Sequence, residues 1–196
     1  MMQPVSATTT EANKGERTRT AILESAVELA SAEGLEGLTI GRLATELRMS
    51  KSGLFAHFGS KQELQLATVA AAGERFRTEV IEPALALPPG AERLRAIGNG
   101  YLERVNDYAG GCFWFSVTAE YDDRPGPVRD SIAAAMDAWL ALIAAEARAA
   151  DHPDPDRFAF EFYAAGLGAN ARLRLSGDRR GFDYARGLLE RFPEPM

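Results

Sequence analysis

The chain has 196 residues, 46% apolar and 26% charged, enough to bury one ordinary core or two small ones packed together while keeping a polar surface. One cysteine, Cys112, excludes an internal disulfide and a cysteine-rich zinc site, and His57 and His152 show no metal-ligand spacing, so neither metal nor cofactor is expected. No apolar run approaches the roughly 20 residues of a membrane span, the start reads as no signal peptide, and a net charge of −6 argues against coating nucleic acid by bulk positive charge; a cytoplasmic protein with no membrane partner is expected.

Residues 1–15 carry three threonines in a row and little that could pack, and read as a disordered arm. From Glu16 the pattern turns helical: Ile22, Leu23, Ala26, Val27 and Ala30 share one helix face, and Gly34 is placed as a C-cap. Thr39 is an N-cap residue before Ile40, Leu43, Ala44 and Leu47, a one-sided helix of about two turns. Arg48-Met49 makes a short turn, and Ser50 caps a second short helix, Lys51–Phe58, with Leu54 and Phe58 facing inward. Ser60-Lys61-Gln62-Glu63 has capping-box spacing, so a third helix starts at Ser60.

Beyond it, Glu82-Pro83 and Pro88-Pro89-Gly90 end one long helix and begin another. Gly110-Gly111, the turn formers from Asp122 to Pro127, and Ser176-Gly177-Asp178 supply further breaks. Asp154 is set to cap a helix opening at Pro155. Strand signals are almost absent. The expectation is an all-α protein of about nine helices, with an N-terminal three-helix domain over residues 16–65 and a larger C-terminal domain over 66–196.

Two short helices joined by a three- to four-residue turn form a helix-turn-helix, whose second helix enters the major groove of double-stranded DNA. The polar residues left over suit that partner. Thr39, Lys51, Ser52, His57 and Lys61 sit at helix starts or in turns, where backbone N–H groups already favour an anion. Ser52 and Gly53 leave room for approach to base edges, and Lys51 reaches a guanine or a phosphate. Taken alone, His57 would read as a surface or cap histidine, and Lys51 and Lys61 as solvated charges. Residues 1–63 hold seven Lys/Arg against eight Asp/Glu. DNA binding therefore requires Arg17, Arg19, Arg42, Arg48, Lys51 and Lys61 on one face, with Glu24, Glu28, Glu33 and Glu36 turned away.

The order of Arg19, Ile22-Leu23, Ala26, Gly34, Thr39-Ile40, Leu43-Ala44, Met49-Ser50, Gly53-Leu54-Phe55, His57-Phe58, Ser60-Lys61 and Leu64 resembles the DNA-binding domain of TetR-family transcriptional regulators over about 50 residues. The resemblance implies a homodimeric regulator, usually a repressor, whose C-terminal domain binds a small-molecule effector and dimerises through its last two helices. It also implies that Thr39, Lys51, Phe55, His57 and Lys61 touch the DNA backbone and that Ser52 and Gly53 lie near bases. The family commonly has tyrosine where Phe55 stands, which removes a hydrogen bond worth about 1 kcal/mol. Glycine is common where Arg48 sits; a left-handed backbone there would cost arginine about 1 kcal/mol, although its charge reaches toward a phosphate.

In the C-terminal part, Tyr101, Cys112, Trp114, Phe115, Met136 and Trp139 are candidates for a mainly apolar effector pocket, beside plain core packing as the alternative for each. Phe113 belongs to the same aromatic group, and Asn106 and Glu120 join Tyr101 as candidate polar contacts. A free cysteine more often packs as a small hydrophobe than senses redox state. Phe158, Phe162, Ala165, Gly166, Ala169, Phe182, Leu188 and Leu189 on the last two helices are candidates for a two-fold interface, with burial inside the subunit as the alternative. No P-loop, no GxGxxG after a strand and no histidine beside a nucleophile point to an enzyme. A helical scaffold would explain the C-terminal part but leaves the Thr39–Lys61 pattern without a reason.

Overall fold

The computed structural model describes residues 7–105 and 107–192, with side chains from Gly15 onward. Nine α-helices account for the described residues: α1 (Ala7–Gly37), α2 (Ile40–Glu46), α3 (Lys51–Phe58), α4 (Lys61–Phe76), α5 (Ala91–Arg104), α6 (Phe113–Tyr121), α7 (Pro127–Ala149), α8 (Pro155–Ser176) and α9 (Arg180–Arg191). A π turn over Arg77–Ile81 and a 3-10 turn over Glu82–Ala86 follow α4. The first helix begins at Ala7, earlier than the apolar pattern indicated. The rest of the expected arm, residues 1–6, lies outside the described residues, as does Asn106.

The predicted caps form. Thr39, Ser50 and Ser60 each accept the backbone N–H three residues on, from Arg42, Gly53 and Glu63, at 3.0 Å. Asp154 does the same for Arg157 at 3.3 Å, with Pro155 opening α8. Each cap satisfies a donor that the helix itself cannot use.

Two apolar clusters hold the helices together. One joins Ile22, Ala26, Ala30 and Leu35 of α1 to Leu43, Leu54, Phe58 and Leu64 of α2–α4, and it continues into Phe113, Val117 and Tyr121 of α6 and Val128 and Ile132 of α7. The other gathers Leu94, Ile97 and Tyr101 of α5 with Ile143 of α7, Phe158 and Phe162 of α8, and Phe182 and Leu189 of α9. Helix α6 thus packs directly against the head that carries the short helices.

That packing is reinforced by hydrogen bonds at the end of α1. Gly34 takes a left-handed backbone (φ 78°) that kinks the helix. The freed amides of Leu35 and Glu36 are then accepted by the two carboxylate oxygens of Glu120, at 2.7 and 2.9 Å. A Cβ on residue 34 would lie 2.7 Å from that carboxylate, so glycine serves both the turn and the close approach. Gly110 is tighter still, because a Cβ there would fall 1.8 Å from the Ser31 carbonyl oxygen. Ser31 and Ser116 close the same seam through Gly110 N at 3.1 Å and the Ser31 carbonyl at 3.3 Å.

Glu120→Ala leaves one partly buried amide, that of Leu35, and one exposed amide, that of Glu36, without their charged acceptor. It is expected to lower stability by about 2 kcal/mol, measured by denaturant unfolding, with the helix content of the folded state unchanged.

Candidate nucleic-acid interface

Helices α2 and α3 pack on each other and against α1 and α4, joined by Leu47–Ser50. The turn is set by Met49, whose N–H donates to the Ala44 carbonyl at 2.9 Å, and by Arg48, which adopts φ 53°. Leu43, Leu54 and Phe58 face the core. The opposite surface presents Thr39, Arg48, Lys51, Ser52 and Phe55 to solvent, with Gly53 and His57 half-buried. Phe55 is 54% exposed, unusual for a large apolar ring. A ring held outward at this place sets a flat apolar contact beside the cations.

The cations are not equally available. Arg48 and Lys51 make no ion pair with another described residue, and Lys51 lies across the start of α2 beside Gly41. Arg42 instead pairs with Glu33 at 2.7 Å and Glu46 at 2.8 Å. Lys61 pairs with Glu36 at 2.7 Å and also donates to the Glu36 carbonyl at 2.9 Å. The Lys61 ammonium is the main cause holding the Glu36 carboxyl below its ordinary range. Arg19 donates to the His57 carbonyl at 2.7 Å and lies 4.4 Å over the Phe58 ring. The expectation that Glu33 and Glu36 turn away from the cations is therefore corrected. Each neutralises one of them, which answers the unfavourable placement of Lys61 at a helix start with an internal anion rather than an external one.

The arrangement is a capped helix pair of helix-turn-helix geometry that exposes a protruding ring and two cations making no ion pair with a described residue. Residues 22–68 match the family model of bacterial regulatory proteins of the tetR family, and residues 90–189 match the tetracyclin repressor-like C-terminal domain. The chain belongs to the TetR family of transcriptional regulators.

A curated relative, the HTH-type transcriptional regulator TcmR of Streptomyces glaucescens, is 33% identical over 95 residues, 46% of this chain and 40% of TcmR. The match thus spans two fifths of that relative's length. Among solved structures, a TetR transcriptional regulator from Chloroflexus aurantiacus is 24% identical with a TM-score of 0.82, covering 93% of this chain and 97% of that one. AibR, solved in complex with isovaleryl coenzyme A and operator DNA, is 23% identical with a TM-score of 0.71, covering 91% and 100%. At these identities the likeness establishes the fold. This TetR-family protein is a DNA-binding regulator rather than an enzyme. No described helix is long and apolar enough to cross a membrane.

In the C-terminal part of the regulator, a cavity of about 260 Å³ opens between α4, α6, α7 and α8. Of the six pocket candidates, Tyr101, Cys112, Trp114, Met136 and Trp139 line it. Phe115 does not: it packs against the neighbouring apolar cluster. Glu120 also lies elsewhere, spent on the end of α1. The sequence reading missed Phe76, Thr118 and Tyr163 in the wall. Thr118 is one helical turn from Trp114, a spacing that could have found it. Phe76 sits where α4 passes into the π turn, which no local pattern marks.

Of the proposed interface residues, Phe158, Phe162, Gly166, Ala169, Phe182 and Leu189 are buried within the single subunit, and Ala165 and Leu188 are half-buried. They are core. The apolar residues that α8 and α9 do expose are Phe160 at 63%, Leu175 at 89% and Tyr184 at 70%. Periodicity identified both helices as apolar, but α8 has two apolar faces and the inner one took the larger residues.

Arg48 is a β-carbon residue held in the left-handed region. Arg48→Gly is expected to raise stability by up to about 1 kcal/mol, read by denaturant unfolding, while removing one unpaired cation from the outer face.

Proposed function

We propose that this regulator is a homodimeric repressor, released from a two-fold operator when a small, mainly apolar molecule enters the C-terminal cavity. In this reading residues 16–65 bind DNA, and residues 66–196 bind the effector and dimerise. Thr39, Lys51, Phe55, His57 and Lys61 approach the phosphate backbone, with Arg42 and Arg48 beside them, while Ser52 and Gly53 approach base edges.

One observation carries the reading: two helices serve both ends. Helix α4 begins at Lys61 against the helix-turn-helix and brings Gly73 and Phe76 to the cavity. Helix α6 brings Trp114 and Thr118 to the cavity, and at its far end Glu120 and Tyr121 bond to Leu35 and Glu36. A molecule that spreads these walls moves α4 and α6 relative to α1. In a dimer, that changes the separation of the recognition helices, which must meet grooves about 34–36 Å apart or a multiple of that distance. AibR, solved with both a coenzyme A thioester and operator DNA, supports a fold that accommodates both kinds of partner.

The dimer is assigned to the outward faces of α8 and α9. Phe160, Ala164, Gly168 and Leu175 run along one side of α8, with Tyr184 exposed on α9. The small residues in the middle of that stripe let a second copy come close. Phe160→Glu is expected to convert the dimer to monomer in size-exclusion chromatography with light scattering and to reduce operator affinity more than 100-fold.

The DNA assignment is tested with operator fragments selected from genomic DNA by the purified protein. Lys51→Ala with His57→Ala is expected to weaken their binding at least 10-fold in gel shift while leaving the unfolding midpoint unchanged. Equal binding by the double variant would remove Lys51 and His57 from the proposed DNA contacts.

A further inference from the structure

The cavity has a sharp division of character. Phe76, Ile81, Trp114, Trp139 and Leu142 supply apolar wall. Among the described residues, the only charged side chain in its lining is Arg77, which is clamped by both Glu74 and Glu82. The guanidinium therefore has its charge already answered, and no carboxylate among the described residues belongs to the lining. An ionised ligand would enter without a counter-charge, at a desolvation cost that apolar contact cannot offset.

The ionisable groups of the wall reinforce this. Burial pushes the Tyr101 and Tyr163 phenols and the Cys112 thiol upward, so all three stay neutral. All three line the cavity, where they form its neutral polar part. Within it the Tyr163 hydroxyl donates to the Met136 sulfur at 3.3 Å. The Tyr101 hydroxyl, on a residue only 7% exposed, makes no hydrogen bond with any described residue. Its ring is fixed by Trp139 at 5.4 Å and Phe162 at 6.0 Å between centroids. Gly166 leaves the space the hydroxyl occupies, because a Cβ there would lie 2.5 Å from it. A buried phenol held in place with a free O–H is an unused donor.

We infer that the effector is a neutral aromatic molecule of about two fused rings bearing one oxygen acceptor, a carbonyl or ether, which takes its hydrogen bond from Tyr101. The size follows from volume: a cavity of about 150 Å³ holds one benzene, and this one measures about 260 Å³. The inference rests on the effector site proposed above and narrows it to one class of ligand.

The test uses matched probes: 1-tetralone, tetralin, tetralin-1-carboxylate and protonated 1-aminotetralin. Binding to the full-length protein is read by titration calorimetry. Intrinsic fluorescence locates it, because Trp114 and Trp139 are the chain's only tryptophans and both line the cavity. Tetralone is expected to bind and to alter that fluorescence, with the carboxylate and the ammonium at least 10-fold weaker. Tyr101→Phe keeps the ring and should melt like the parent. It is expected to weaken tetralone roughly five-fold and to leave tetralin unchanged.

Equal or tighter binding of either ion, equal loss of tetralone and tetralin in Tyr101→Phe, or no binding by any probe would overturn the inference. The regulator reading fails on a different measurement, namely the inability of the probe-free protein to retain any selected operator fragment.

Discussion

Glu120 holds the molecule's two halves in register. Its carboxylate closes the amides that Gly34 releases at the end of α1, and the neighbouring Tyr121 hydroxyl reaches Glu36 at 3.1 Å. Glu36 in turn grips Lys61 at the start of α4, and Gln65 of α4 donates to the Leu35 carbonyl at 2.7 Å. A single short segment, residues 34–36, is thus bonded from α6 on one side and α4 on the other. Most of these bonds involve charged or backbone groups in partly buried places, where each is worth more than a surface ion pair. The orientation of the helix-turn-helix relative to the C-terminal helices follows from this junction more than from apolar contact, which is non-directional.

Much of this architecture is legible in the sequence because it is local. The caps at Thr39, Ser50, Ser60 and Asp154 depend on side chains three residues from the amide they satisfy. The short helices Ile40–Glu46 and Lys51–Phe58 follow from those caps and from the spacing of Leu43, Leu54 and Phe58. Arg48 is legible too, since a turn that commonly takes glycine warns of a left-handed backbone, and φ is 53° there.

What escapes the sequence is long-range. Glu120 and Leu35 are 85 positions apart, and nothing in either neighbourhood announces the bond. The same holds for Lys61 with Glu36, 25 apart, and for Arg42 with Glu33. Charge counting gives the balance of the N-terminal region but not which cations are already paired. On α8, periodicity finds apolar faces without saying which meets the subunit's own core, so the larger aromatics read equally well as interface. Five of the six pocket candidates line the cavity, drawn from the Cys112–Trp114 stretch, Tyr101 and the Met136–Trp139 turn of α7; Phe115 does not, because adjacent helical positions point about 100° apart and Trp114 took the inward one.

The pairing of Arg42 and Lys61 with carboxylates has a bearing on how the protein meets a genome. A polyanion that takes hold of either side chain must first evict Glu33 or Glu36, so part of each new contact merely replaces an old one. In the proposed DNA-bound arrangement, random duplex, which offers phosphates but no fitted groove, would gain little from that exchange and be left to Arg48 and Lys51. With Arg42 and Lys61 at the DNA backbone as proposed, the acidic chain would carry a built-in brake on indiscriminate adhesion, favouring sites whose shape rewards the eviction.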